Sequence, residues 1–347
     1  MAKKVIITTA QTPFVSGGAE LMIQSLKKNL ISRGFEAEVV MLPFKGYPEE
    51  TIYNELLAWR LLDLEESDGR KIDLVIATKY PSFGARHHNK VTWLMHQFRQ
   101  AYDLYDAPYG FSTHPNGDRI RKQIMQYDST TLKESKKIYT ISQNVANRLK
   151  TYNNIDSAPL YHPPSLIGQY KTGEYGDYIV SVGRLNKMKR NELLIEALAH
   201  CDKRIRAKIA GKGPEMKPLQ ELARKLGVSD RVDFLGFVDD KELLELYAGS
   251  FAVFFAPLDE DYGYITLEAF HSHKPVITCR DSGGVLEFAV DGENSFISDT
   301  DPEALGRNID RLYNNKELCR SMGASGFNSV KGITWDNVID TLTQTIR

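Results

Sequence analysis

The chain has 347 residues, 42% of them hydrophobic and 26% charged, with a formal net charge of −1. That length exceeds one ordinary core and suits two domains of roughly 150 residues each, while the near-zero charge gives no global drive toward nucleic acid. No run approaches the roughly 20 apolar residues of a membrane-spanning helix, and three cysteines without CxxC spacing suggest neither a metal site nor a disulfide framework.

In chain order, "MAKKVIITTAQ" passes directly into a strand-like run, with no apolar signal region or cleavage site. With Cys201, Cys279 and Cys319 read as buried reduced thiols, the expected location is cytoplasmic, peripheral at the inner membrane face at most. "KKVIITTA" reads as a strand. "VSGGAE" then sets Gly17 and Gly18 ahead of the helix "ELMIQSLKKNLISRG", with Gly34 as its stop. Glycines let a ligand approach the backbone, and a helix N-terminus presents N–H groups; the pair reads equally as a turn. It is not GxGxxG, and no acidic residue stands where a nicotinamide dinucleotide would want one.

"AEVVML", "IDLVIAT", "KVTWLMH" and "KKIYTIS" are further strands, the last followed by the helix "QNVANRLKTY". His96 ends "KVTWLMH", where it can reach a ligand or serve structure alone. His87 and His88 read as exposed polar surface. No His/Asp/Glu cluster with metal-ligand spacing is read. The stretch Gln97–Thr131 is aromatic, basic and irregular. It is a surface loop with a short helix, or a wall of an acceptor site, since ligands of open α/β sheets bind beyond the carboxyl ends of strands.

The Pro-rich "APLYHPPSLIGQYKTGEYGD" interrupts this alternation, which then restarts. Strands "YIVSVGR", "RAKIAG", "RVDFLG", "FAVFFAP" and "PVITC" alternate with helices "RNELLIEALAHC", "EMKPLQELARKLG", "DKELLELYAGS" and "ITLEAFHSH". The expected fold is α/β, with two doubly wound domains at 1–165 and 166–333 joined by a hinge at Pro163–Pro164. The first 165 residues carry 21 Lys+Arg against 17 Asp+Glu, or +4; the remainder carries 23 against 28, or −5. That asymmetry favours an anionic acceptor or membrane surface for the first half.

The second half holds the richer motifs. "SVGRLNKMKR" places Arg184 just after a strand and Lys189 before a helix, two cations suited to a diphosphate. "AGKGPE" sets Gly211 and Gly213 after the next strand, and "CRDSGGVLE" sets Gly283 and Gly284 before Glu287; each also reads as a tight turn. In "LDEDYGYITLE", Pro257 and Gly263 forbid one continuous helix. Glu260 therefore falls in a loop, the helix starts around Tyr264, and Glu268 lies in its first turns. The N–H groups of Gly263, Tyr264 and Ile265 would face an anion there.

As an ordered series these motifs resemble glycosyltransferase family 4, retaining nucleotide-sugar enzymes of GT-B fold, in which two Rossmann-like domains face each other across a cleft. The series is Gly17-Gly18-Ala19-Glu20, His96, Gly183-Arg184 with Lys189, Gly211-Lys212-Gly213-Pro214, "FLGFV", Glu260 with Glu268, and Gly283-Gly284 with Glu287. It covers most of the second half and scattered points of the first. The resemblance implies that Arg184 and Lys189 grip the donor diphosphate, Glu268 takes the ribose hydroxyls, and Glu260 contacts the donor sugar. It implies further that His96 meets the sugar from the acceptor side, that Gly17 and Gly18 close on the phosphate as the domains shut, and that backbone around Phe237 and Val238 reads the base. Segments near 334–347 in such chains can pack back onto the first domain. The sequence departs from the usual Glu-Gly-Phe-Gly with Glu260-Asp261-Tyr262-Gly263, and carries "YHPPS" after the hinge where an Asn is common.

The implied reaction moves a sugar from a UDP- or GDP-linked donor to a hydroxyl of a glycan, lipid-linked or small-molecule acceptor by same-face displacement. Two cations and helix N–H groups stand where charge develops on the leaving diphosphate, no Asp-x-Asp metal clamp is read, and no cofactor or metal is expected. Same-fold alternatives are a nucleotide-sugar epimerase or a glycan phosphorylase; from another class, a non-catalytic sugar-nucleotide-binding subunit.

Overall fold

The computed structural model describes residues 2–14, 17–48, 51–108 and 110–346. The chain divides into two compact units, Met1–Ser165 with Thr334–Arg347, and Leu166–Ile333.

The first unit runs β1 (Lys4–Gln11), α1 (Gly18–Ser32), β2 (Glu36–Pro43), α2 (Thr51–Leu61), a hairpin β3 (Glu66–Ser67) and β4 (Arg70–Lys71), β5 (Leu74–Ala77), β6 (Lys90–Leu94), α3 (Gly117–Leu132), β7 (Lys137–Thr140), α4 (Gln143–Asn153) and β8 (Ala158–Pro159). Its six-stranded parallel sheet has the order β2-β1-β5-β6-β7-β8. Strands β5 and β6 are buried along their whole length, the mark of a parallel sheet covered on both faces. Helix α1 stops as expected: Gly34 adopts φ +85, and the N–H groups of Gly34 and Phe35 donate to the carbonyls of Ile31 and Leu30, a Schellman closure. Inside β6 the fully buried Lys90 ammonium donates to the carbonyls of Phe83, Ala85 and Thr131 at 2.7, 3.0 and 3.1 Å, with the Glu134 carboxylate 3.5 Å away as its counter-charge; burial pushes its pKa down to about 8.

Gln97–Thr131 is more regular than the sequence suggests. After two short 3-10 turns, α3 extends for 16 residues and buries Ile120, Ile124, Asp128 and Leu132, one face at four-residue spacing. The stripe is hard to read because one of its members is a carboxylate.

The second unit runs β9 (Tyr178–Val182), α5 (Asn191–Leu198), β10 (Arg206–Ala210), α6 (Met216–Lys225), β11 (Val232–Gly236), α7 (Asp240–Gly249), β12 (Ala252–Phe254), α8 (Tyr264–His271), β13 (Val276–Cys279), β14 (Ser295–Ser298), α9 (Pro302–Tyr313) and α10 (Lys316–Val330). Beyond "PVITC", then, the structure adds a strand and two helices to the alternation read from sequence. The sheet is parallel in the order β11-β10-β9-β12-β13-β14, which counts 3-2-1-4-5-6 within the unit. Ile179, Ile209, Phe254, Ile277, Leu194, Leu305 and Met322 belong to one buried core between sheet and helices.

The last helix, α11 (Trp335–Leu342), belongs to the first unit. Trp335 stacks on His162 and meets Trp93 edge-on, with ring centroids 5.9 and 6.3 Å away, while Arg33, just after α1, pairs with Asp336.

Candidate functional site

In a sheet ordered 3-2-1-4-5-6 the chain reverses direction between its first and fourth strands, and the crevice beyond their carboxyl ends is where such sheets hold nucleotides. In the second unit those strands are β9 and β12. Lys189 stands in the turn after β9, Glu260 in the loop after β12, and the Lys189 ammonium donates to Glu260 Oε2. Both side chains are about one quarter exposed, at 22% and 24%, so the pair is within reach of solvent. Arg184 is also in the β9 loop, with an exposed side chain.

Loop-to-loop contacts explain the glycines. A Cβ on Gly211 would lie 1.8 Å from the carbonyl oxygen of Gly183, and one on Gly213 would lie 2.0 Å from that of Leu185. The "AGKGPE" loop therefore seats directly against the loop that carries Arg184. Gly211 N–H donates to Gly236 O at 2.6 Å, which carries the contact on to the end of β11. There Phe237 is 72% exposed with the Lys212 ammonium 5.7 Å from its ring, and Val238 is half-buried beside it.

On the other side, Gly263 takes φ +87 as it caps α8, a backbone that side chains avoid. Ile265 in the first turn of α8 is buried, its Cδ1 3.4 Å from where a Gly183 Cβ would be, so the helix N-terminus packs beside the β9 loop. Tyr264 and Phe288 pack edge-on to the buried Tyr262, the residue that departs from the usual phenylalanine. Glu268 is on the second turn of α8. Burial pushes its carboxyl up to about 7, against hydrogen bonds from Tyr247, at 2.7 Å, and Tyr170.

Arg184, Lys189, Gly211, Phe237, Val238, Glu260, Gly263, Tyr264 and Ile265 thus lie on the loops and the α8 start at the carboxyl edge of this sheet, with Glu268 one turn further along α8. Sequence reasoning missed Arg190. This residue adopts φ +49, and its guanidinium donates to Ala256 O at 2.8 Å, Pro257 O at 2.9 Å and both carboxylate oxygens of Asp281 at 2.6 and 2.7 Å. That bond from Arg190 holds the Asp281 carboxyl below its usual range. No sequence signal pairs residues 91 positions apart.

Gly17, Gly18 and His96 belong to the first unit. Gly17 precedes α1 in an extended conformation that any residue adopts, and its N–H donates to Glu20 Oε2 at 2.9 Å, with Lys79 bonded to the other oxygen of that carboxylate. Val15 and Ser16 of the same motif lie outside the described residues. His96 comes two residues beyond the end of β6, and its Nδ1 donates to Gln97 O at 2.7 Å, so the neutral ring carries its proton on Nδ1.

Two readings about metals need correction. The sequence does hold Asp-x-Asp triplets, Asp259–Asp261 and Asp299–Asp301. Asp301 caps α9 and Asp299 pairs with Arg280, which occupies the second triplet structurally. Folding also brings Glu65 to His87 and His88, with ligand atoms within 4.8 Å of one another. His87 Nδ1 accepts from Asn89 N–H, so its Nε2 carries the proton and points it at Ile72 O, 3.2 Å away; in this bonding the trio lacks a third lone pair for a metal.

Comparison with known proteins sets this geometry in context. Residues 166–329 match the family described as Glycosyl transferases group 1, which is the second unit almost end to end. EpsD of Bacillus subtilis, named as a candidate glycosyltransferase, is 38% identical over 153 residues, 43% of this chain and 39% of that one. The match thus spans about two fifths of the EpsD length. An uncharacterized glycosyltransferase of Methanocaldococcus jannaschii is 24% identical over 97% of this chain and 95% of its own. Among solved structures, sucrose-phosphate synthase of Thermosynechococcus elongatus superposes with a TM-score of 0.76 at 15% identity, covering 99% of this chain and 98% of that one. HepE of Anabaena in complex with UDP and glucose gives 0.70 at 18%, with the same coverage. The fold is GT-B, with two Rossmann-like parallel-sheet units.

Proposed function

We propose that this chain is a retaining glycosyltransferase that moves a sugar from a nucleoside diphosphate donor to an acceptor hydroxyl, with the donor held by the second unit. The observation that carries the reading is the Lys189–Glu260 contact at the β9–β12 switch point, beside the N-terminus of α8. Departure of a nucleotide builds negative charge on its diphosphate. An ammonium, the Arg184 guanidinium and helix N–H groups suit that charge, a clamp worth several kcal/mol in water-poor sites. Glu260 then stands next to the donor sugar, Glu268 next to the ribose, and the exposed Phe237 with Val238 at the base. The UDP bound to HepE supports a uridine or similar donor. The first unit takes the acceptor, a glycan, lipid-linked or small-molecule hydroxyl, with His96 and Gly17–Gly18 as its contributions.

Same-face displacement is the favoured route, with the leaving phosphate oxygen helping to deprotonate the acceptor. Metal independence is part of the proposal, and EDTA tests it: Asp259 and Asp261 beside Glu260 are where a divalent cation would act, and loss of turnover on chelation would reverse this point.

The deciding experiment is calorimetry with UDP and GDP, followed by incubation with a panel of their sugars and NMR of the product's anomeric centre. Binding plus a product that keeps the donor configuration supports the reading. Absence of affinity for every nucleoside diphosphate overturns it. A sugar changed with donor alone identifies an epimerase, and dependence on inorganic phosphate a phosphorylase.

A further inference from the structure

We propose that Arg190 is the positioning residue of the site, clamping the loop that carries Glu260 so that Glu260 meets Lys189 in one fixed geometry. The inference rests on the reading that Lys189 and Glu260 serve the donor. Three observations carry it. First, the guanidinium is 12% exposed and makes four hydrogen bonds, to the carbonyls of Ala256 and Pro257 and bidentately to Asp281. It thereby ties the β9 turn, the β12 loop and the β13 loop at one point. Second, the loop it grips is held by backbone bonds to both neighbours: Asp259 N–H donates to Asp281 O, Glu260 N–H to Ser282 O and Gly284 N–H to Glu260 O at 2.9, 3.2 and 2.7 Å, and Leu258 N–H donates to Met188 O of the β9 turn at 2.8 Å. Arg190 adds its side-chain bonds to Ala256 and Pro257 on that β9 side, so residues 256–260 are pinned from both.

Third, the backbone is strained at both ends of the clamp. Arg190 and Asp259 adopt φ +49 and +42, left-handed values that ordinary side chains avoid. Strain of this kind persists where the surroundings over-determine it and clusters at ligand sites. A glycine would sit at position 190 without strain, so an arginine there is retained against the backbone preference. Its side chain supplies what a glycine lacks, a planar fork that matches Asp281 bidentately. Lys189 and Arg190 are adjacent, so the residue that orders the Glu260 loop also fixes the chain position from which Lys189 reaches it.

Arg190→Gly is the informative variant, because it removes the guanidinium while relieving the strain, and Arg190→Lys keeps charge without the fork. Four readouts are needed on the full chain: hydrogen exchange of peptides covering 255–263, UDP affinity by calorimetry, kcat and KM for the donor, and Tm. The expected result for Arg190→Gly is faster exchange in 255–263, UDP affinity within about threefold of wild type, and kcat lowered on the order of 10–100-fold, as expected for a misplaced reacting group. Arg190→Lys should fall between, and free guanidinium should restore part of kcat in Arg190→Gly. Unchanged exchange, or faster exchange with wild-type kcat, overturns the clamp. A Tm loss without a kcat change assigns Arg190 to stability alone and overturns it too. If the wild-type chain binds no nucleotide and turns over no donor, the functional reading fails instead, and the exchange result still judges the clamp.

Discussion

Lys189 and Glu260 hold one another across the ends of two strands that are 70 residues apart in sequence, and each is the other's counter-charge. Removing the ammonium therefore does two things: it takes a donor from the Glu260 carboxylate and, on the proposed reading, a cation from the diphosphate. Lys189→Ala should lower kcat/KM for the donor by about 10²–10³, the size of losing one transition-state donor, with the circular dichroism spectrum unchanged. Wild-type turnover in that variant would remove Lys189 from the reaction. Glu268 stands differently, since its carboxyl is held by Tyr247 and Tyr170 on the second turn of α8. Glu268→Ala should weaken UDP binding by about 10-fold or more, the worth of a hydrogen bond to a charged group, and leave the chemical step nearly intact; an unchanged calorimetric affinity would free it from the ribose. The positions of these residues are legible in the sequence because each follows a strand's carboxyl end, in the turn, the loop or the early part of the next helix. Arg190 is not. Its role comes from a left-handed backbone and from Asp281, and neither shows in local spacing. Glu65 likewise reaches His88 only after folding.

At the scale of elements, the β9 and β10 loops behave as a single piece. The glycine of "AGKGPE" was read as a possible ligand contact, but the space it leaves is filled by the Gly183 carbonyl, not by an open pocket. A methyl group at Gly211 meets backbone at 1.8 Å, and φ +149 is already unfavourable for any side chain. Gly211→Ala should therefore shift the loop that bears Arg184, lowering Tm by several degrees, as a loss of about 1–2 kcal/mol would, and weakening UDP binding at the same time. A Tm loss with full UDP affinity would show that the loop's position is irrelevant to the donor. Element legibility followed the strength of periodicity. The buried strands β5, β6, β9 and β13 were read because apolar runs bounded by loops leave few alternatives. The helices α3 and α10 were obscured because Asp128 interrupts one apolar stripe and small residues thin the other. In α10, Gly323 lies against the His273 carbonyl, a packing reason that no hydrophobic pattern expresses.

At the scale of the whole molecule, stability should depend on pH through buried groups of the first unit. Asp128 of α3 is fully buried, accepts a 2.6 Å hydrogen bond from Tyr102, and has its carboxyl pushed up to about 8 by burial. The groups that act on or beside it are Tyr80 after β5, Tyr102 before α3, Tyr127 and Arg121 on α3 itself, and Glu55 of α2, whose own carboxyl burial pushes up to about 7. The direction follows from proton uptake. Between about pH 4 and 8 the folded chain keeps a proton on Asp128 that the unfolded chain has lost, so stability falls as pH rises through that window and levels off above it. Asp128→Asn replaces the protonated acid by a neutral amide of the same shape and has no proton to lose. Its Tm relative to wild type should therefore climb from pH 5 to about 8 and then level off, as a stability change on the order of a few kcal/mol would make it. A Tm difference that is flat across this range would mean that Asp128 is ionised in the fold at neutral pH, with a cation or water supplying the charge compensation that its tyrosine neighbours cannot.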